Sequence, residues 1–179
     1  MVINPELQRE IEKTVPKAAQ GKFVEDALKT ALTNYKAAHT KILELFVDGG
    51  SRGNPGSSGG GFAAYLAGKE VARGSEYYGE KTNNQAEYLA LRMALRELFE
   101  KYADYNIHCF MDSQLVVEQM SGNYRVKNAD LRPLFDEVQR IAGQFRSFQI
   151  KHVERNQNKV ADMLANEAMD NPIPQNSKS

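Results

Sequence analysis

Disulfide chemistry is closed to this chain within itself, because its 179 residues contain one cysteine, Cys109. No Cys/His spacing suggests a zinc site, and a reducing compartment is the natural reading. Long apolar runs are also missing: none approaches the roughly 18 residues that a membrane helix needs. The start, MVINPELQRE, lacks a secretory pattern. A soluble, cytoplasmic protein without a membrane partner is expected. Net charge is absent as well, with 23 Lys plus Arg against 23 Asp plus Glu, which argues against a strongly basic protein that coats nucleic acid. There is no internal repeat, and GxxxxGK[ST] is absent, which disfavours a phosphate loop of that kind. What is present is a globular composition, 41% hydrophobic and 26% charged. The length suits one ordinary domain with a small appendage, and such a domain buries enough surface to fold without cross-links or a structural metal.

The appendage is residues 1–40. Asn4 and Pro5 open a first helix carrying Leu7, Ile11 and Val15. Pro16 to Gly21 interrupts it, and a second helix is predicted from about Phe23 to Ala38, with Val24, Leu28, Leu32 and Tyr35 in its stripe. From Lys41 the pattern changes. ILELFVDGG reads as a central strand, and a glycine-rich loop, GGSRGNPGSSGGG, leads to FAAYLAGK and EVARGSEYYG, two strands of an antiparallel meander. The strongest helix is KTNNQAEYLALRMALRELFEKY; then come the strand YNIHCFMDS, helices in SQLVVEQMSG and NADLRPLFDEVQRIAG, the strand FRSFQIKHV and the helix NQNKVADMLANEAM. This order implies an α/β fold with a mixed sheet flanked by helices over residues 41–170, followed by a loose tail, 171–179.

Four acidic residues stand out, each with a bland alternative. Asp48 and Asp112 end apolar strands, where ligands of open α/β sheets bind. If the strands are parallel neighbours, roughly 4.8 Å apart, the two carboxylates repel, and either a raised pKa or a hard cation resolves the conflict. Asp48 is otherwise a turn former before Gly49, and Asp112 a helix cap. Glu87 fits a capping box with Asn84, yet it also begins the stripe Leu91, Ala94, Leu98 that should face the sheet. Asp162 borders a buried stripe and, taken alone, is a solvated helix edge.

In combination these residues are recognisable. FVDGGSRGNPG with Asp48, KTNNQAEYLAL with Glu87, FMDSQLVVEQM with Asp112 and NKVADMLAN with Asp162 resemble, in order and spacing, the type 1 ribonuclease H family. The resemblance implies a ribonuclease H-like five-stranded mixed sheet, three antiparallel strands then parallel ones. It implies endonucleolytic cleavage of the RNA strand of RNA/DNA hybrids, leaving 5′-phosphate and 3′-hydroxyl ends. Asp48, Glu87, Asp112 and Asp162 become the catalytic, metal-binding carboxylates for two Mg²⁺, with Mn²⁺ as a substitute. In such a site the ions, roughly 3.5–4 Å apart, activate the attacking water and stabilise the leaving oxygen. Asp48 would bridge both, Glu87 and Asp112 would serve the nucleophile side, and Asp162 the leaving-group side. Mg²⁺ keeps waters and takes ligands from substrate phosphate, so binding without substrate should be weak. Gly49, Asn54, Thr82, Asn83, Asn84 and Gln114 match substrate-contacting positions. Amides suit this role because they both donate to and accept from a 2′-hydroxyl; for Asn83 and Asn84, helix capping is the equal alternative.

Two departures mark a handle-less, short-loop branch. The loop HVERNQNK lacks the histidine that many members carry, and Arg155 is the nearest replacement, able to contact phosphate but not to exchange protons near neutrality. His152 reads as an ordinary strand residue. Where others insert a basic handle, only Arg125 and Lys127 remain, in a domain with 16 basic and 18 acidic residues over 41–170. Double-stranded RNA is a second candidate substrate, and no protein partner is evident. The N-terminal helices lie outside the resemblance and read as a packing or dimerisation hairpin, with nucleic-acid contact through Lys17, Lys22, Lys29 and Lys36 a lesser option. The rivals are a resolvase-like or integrase-like nuclease and an inactive hybrid- or RNA-binding module of the same fold.

Overall fold

The structure, a computed structural model, describes residues 5–172, and residues 33–40 by their backbone alone. The expected cap Asn4, the side chains of Tyr35, Lys36 and His39, and the expected tail from residue 173 on lie outside the described residues. The chain divides into two compact units, one ending at Thr40 and one beginning at Lys41.

In the first unit, α1 (Pro5–Thr14) and α2 (Gln20–Thr40) are joined by a 3-10 turn at Lys17–Ala19. Pro16, which has no N–H to continue the ladder, makes the break. Gly21, expected in the interruption, lies inside α2. Leu7, Phe23, Leu28 and Leu32 stay about half exposed within this unit. No helix among the described residues is long and apolar enough to cross a membrane.

The second unit is built on a five-stranded sheet of order β3-β2-β1-β4-β5. Its strands are β1 (Ile42–Gly53), β2 (Gly56–Leu66), β3 (Lys69–Lys81), β4 (Asn106–Met111) and β5 (Ser147–His152). β1, β2 and β3 form an antiparallel meander, while β4 and β5 add in parallel. The glycine-rich stretch is therefore not a loop: β1 continues to Gly53 and returns as β2 from Gly56. Alternation along β1 buries Leu43, Leu45 and Val47 completely and leaves Glu44, Phe46 and Asp48 on the other face. On the first face lies α3 (Asn83–Tyr102), whose Leu91, Leu95 and Leu98 complete the core with Ile107 and Met111. α4 (Gln114–Met120) and α5 (Arg132–Ala142) follow β4, and α6 (Lys159–Asp170) closes the described chain. α5 starts later than expected, because Asn128 Oδ1 accepts the Asp130 and Leu131 amides and holds that stretch in a turn.

Glycine decides how closely the helices approach. A Cβ on Gly49 would lie 2.4 Å from the Ala86 carbonyl oxygen of α3, and one on Gly61 would lie 2.5 Å from Leu164 Cβ and 2.6 Å from the Ala165 nitrogen of α6. Gly61 pairs with Asp48 across the hairpin, so α6 packs on the sheet face that carries Asp48.

Candidate active site

Asp48 stands where β1 changes partners. Its parallel ladder with β4 ends at Phe46↔Phe110, and the same register carried two residues further sets Asp112 beside Asp48. The two carboxyl groups lie within hydrogen-bond reach, and Asp162, in the first turn of α6, adds its charge. Burial and then the Asp112 and Asp162 charges push Asp48 from its ordinary 3.8 up to about 7.

Glu87 comes from the other face. Its expected capping role with Asn84 is not realised: Thr82 caps α3, its hydroxyl accepting the Gln85 amide while Gln85 Oε1 accepts the Thr82 amide. Glu87, one turn further in, is 9% exposed. Ser113 Oγ donates to its Oε2 (2.6 Å) and Asn83 Nδ2 to its Oε1 (2.9 Å). Burial still raises it to about 7, with the Asp48 and Asp112 charges adding and the two donors opposing. Asp112 does not cap the next helix either; Ser113 caps α4 through the Val116 amide. Both capping alternatives are thus removed, and the two carboxylates are left for the site.

Asp162 accepts from Arg155 Nη2 at 2.5 Å. Since the Arg155 side chain is 75% exposed, the pair is worth little in stability and yields readily to another cation. Asn54 Oδ1 accepts the Asn83 amide, and Asn83 Oδ1 accepts the Ser51 amide. These two bonds tie the hairpin tip to the start of α3. Asn54 and Gln114 are exposed, Thr82, Asn83 and Asn84 half-buried. Gly49 is buried beneath Ala86, so what its lack of a side chain provides is helix approach. His152 ends β5 on an exposed position.

Two residues that sequence reasoning passed over belong here. Ser113 stands in the sequence only as part of FMDSQLVVEQM, and its bond to Glu87 ties the cap of α4 to α3. Asn158, 1% exposed, donates Nδ2 to the Val47 carbonyl (2.9 Å) and to Asp112 Oδ1 (3.2 Å). Its only sequence signal is its place four residues before Asp162.

Among the described residues no three His, Cys, Asp or Glu side chains are gathered into a ready-made metal cage. Arg155 holds Asp162, and Ser113 and Asn83 hold Glu87. The donor set nonetheless fits a hard divalent ion, since it is all oxygen and a buried Asp48 beside two further carboxylates is stabilised by any added positive charge.

A pH dependence follows. A carboxyl whose native pKa exceeds its unfolded one binds its proton more tightly when folded, so stability falls as pH rises. For Asp48 and Glu87 that window runs from about 4 to about 7. The metal-free protein is expected to melt at a lower temperature at pH 8 than at pH 5.5, and added Mg²⁺ to restore part of the difference at pH 8. Thermal scans in chelator would contradict this by showing no slope across that interval.

Comparison with known proteins gives the chain a family and a fold. The sequence pattern of a family described as reverse transcriptase-like matches residues 47–168. A bifunctional protein of Mycobacterium tuberculosis is 44% identical over 125 residues, covering 69% of this chain and 34% of the relative. A ribonuclease HI of Halobacterium salinarum is 41% identical over 132 residues, 72% of this chain and 64% of its own. The chain therefore spans about a third of the mycobacterial relative's length and just under two thirds of the archaeal one's. Among solved structures, LC11-RNase H1 in complex with an RNA/DNA hybrid superposes with a TM-score of 0.68 at 38% identity, over 72% of this chain and 96% of that one.

Proposed function

Because the chain belongs to the type 1 ribonuclease H family, we propose that it is a metal-dependent endoribonuclease that hydrolyses the RNA strand of RNA/DNA hybrids, with residues 41–170 as its catalytic domain. The observation that supports this most is electrostatic convergence. Asp48 lies under the charges of Asp112 and Asp162, and Glu87 under those of Asp48 and Asp112. A module that only bound nucleic acid gains nothing from clustered negative charge opposite phosphate. A relative solved with a hybrid bound supports that duplex as the substrate.

Asp48, Glu87, Asp112 and Asp162 are the residues that would hold the ions, with Mg²⁺ the expected metal and Mn²⁺ its substitute. Divalent ions held there supply a water of lowered pKa and stabilise the departing 3′-oxygen. Asp48, which lies under the charges of Asp112 and Asp162, would share in holding the ions with them; Glu87 and Asp112 would serve activation of the attacking water and Asp162 departure of the leaving oxygen. Ser113 and Asn83 keep the Glu87 carboxylate oriented against its burial. Arg155, released from Asp162, is free to meet a phosphate oxygen but keeps its own proton. Asn54, Asn84 and Gln114 would offer amides to ribose and base edges, while Asn83, whose amide is engaged by Glu87 and Ser51, and Thr82, whose hydroxyl is engaged by Gln85, would meet the hybrid only by releasing those bonds. With only Arg125 and Lys127 in the segment between α4 and α5, the grip on the DNA strand is modest.

The test incubates end-labelled hybrid, double-stranded RNA and double-stranded DNA with the full chain and Mg²⁺. Cutting of RNA in the hybrid, with 5′-phosphate and 3′-hydroxyl ends, is the expected result. Preferential DNA cutting would favour a resolvase-like nuclease, and binding without cutting in both Mg²⁺ and Mn²⁺ would favour the binding module.

A further inference from the structure

Asn158, the residue before α6, ties to β1 and to the residue that follows β4, and these bonds do nothing for the helix it begins. Its side chain makes no capping bond. Instead Nδ2 reaches back 111 residues to the Val47 carbonyl, one residue before Asp48, and also to Asp112 Oδ1. The two acceptors fix the amide's orientation, because turning it over would place Oδ1 against two oxygens. Oδ1 is left as the buried side-chain polar atom without a hydrogen-bond partner among the described residues. A tie that served folding alone would favour a group with both ends satisfied.

From this arrangement we infer that Asn158 is a positioning residue for the reaction, holding the Asp112 carboxylate in register with β1 so that Asp112 and Asp48 face the same ion. The inference rests on the ribonuclease reading above. Its physical content is geometric. Asp112 lies one residue beyond Met111, which ends β4 and whose carbonyl accepts the Val153 amide, so Asp112 itself is outside the ladder. Its charge is repelled by Asp48. The Asn158 amide supplies the opposing attraction and anchors it to the backbone of the strand that carries Asp48. It thereby sets the separation of the two carboxylates without touching substrate. Outer partners of metal-holding carboxylates act in this way, and removing one costs about 10- to 100-fold in metal affinity or activity.

The test uses the full chain as wild type, Asn158→Ala, Asn158→Ser and, as a stability control, Val138→Ala, a truncation in the core of α5. Mn²⁺ binding to the hybrid-free protein is followed by the electron spin resonance signal of free Mn²⁺, and the Mg²⁺ concentration for half-maximal hybrid cleavage is measured below the lowest melting temperature. Asn158→Ala is expected to weaken Mn²⁺ binding and raise the Mg²⁺ midpoint about tenfold or more, with KM for the hybrid little changed. Asn158→Ser, which keeps one donor, should fall between. Val138→Ala should lower the melting temperature and leave both metal midpoints in place. If Asn158→Ala does not fold, the serine variant decides by the sign of its shift. Metal midpoints equal to wild type in either folded variant overturn the inference. Should wild type leave hybrids intact, the ribonuclease reading fails, while the Mn²⁺ comparison still decides whether Asn158 positions Asp112.

Discussion

Replacing Asp112 with asparagine is expected to reduce hybrid cleavage about a thousandfold or more while leaving the protein as stable as before, or more so, at pH 8. The two halves of this result have one cause. A carboxylate that holds the ions contributes to several kcal/mol of charge stabilisation in the transition state, and each 1.36 kcal/mol is tenfold in rate. In the metal-free protein the same charge works against the fold, because it is one of those that push the buried Asp48 up to about 7. Asparagine is nearly isosteric and keeps an oxygen for the Asn158 amide, so the tie to β1 survives. The repulsion does not. Single-turnover cleavage and thermal scans from pH 5.5 to 8 check both halves, the second as a shallower decline of melting temperature with pH than wild type shows. Activity within tenfold of wild type would remove Asp112 from the catalytic group.

Gly49→Ala is expected to damage both stability and rate. Its new Cβ would lie 2.4 Å from the Ala86 carbonyl oxygen and 2.7 Å from the Glu87 nitrogen. Both are backbone atoms of the first turns of α3, which cannot rotate aside as a side chain would. The helix must move off the sheet, and overpacking of this kind costs about 1–3 kcal/mol. For a domain of this size that is a melting shift of roughly 3–5 °C per kcal/mol. The displaced helix carries Glu87 with it. A misplacement on the order of 1 Å can cost about a hundredfold in rate, so kcat should fall by ten- to a hundredfold even well below the melting temperature. Gly21→Ala, where nothing lies within 4 Å of the added carbon, is the matching control and should leave cleavage unchanged. A Gly49→Ala chain with wild-type melting and turnover would show that β1 and α3 do not need this approach.

Much of this architecture is legible in the linear chain. The apolar residues of ILELFVDGG and the apolar run before Asp112 mark two strands whose ends carry acids, while their parallel adjacency is not read from either strand alone, since two strands and a helix lie between them. The four ordered motifs point to the family and hence to the sheet order. Local ambiguities are where the reading stops. In Thr82, Asn83, Asn84 and Gln85, three successive residues can each cap a helix, and propensity alone does not choose; the bond from the Thr82 backbone to Gln85 does. The glycine-rich stretch reads as a loop because glycine is a poor strand former. Its conformation is instead set by two helices that need bare backbone on opposite faces of a hairpin, a tertiary demand with no local signature. Asn158 is the extreme case, since its partner Val47 is 111 residues away and nothing near Asn158 announces it. The apolar faces of α1 and α2, visible as periodicity, have Leu7, Phe23, Leu28 and Leu32 exposed within their own unit.

The account depends on acids from β1, α3, α6 and the end of β4 acting together on a pair of ions. The most direct measurement is a crystal structure of the full chain with an RNA/DNA hybrid whose scissile linkage resists hydrolysis, grown with Mn²⁺ and located by its anomalous scattering. Two peaks roughly 3.5–4 Å apart, with Asp48 in contact with both and the scissile phosphate between them, are the expected result. A single peak elsewhere, or oxygens of Asp48, Glu87, Asp112 and Asp162 turned away from the phosphate, would contradict it.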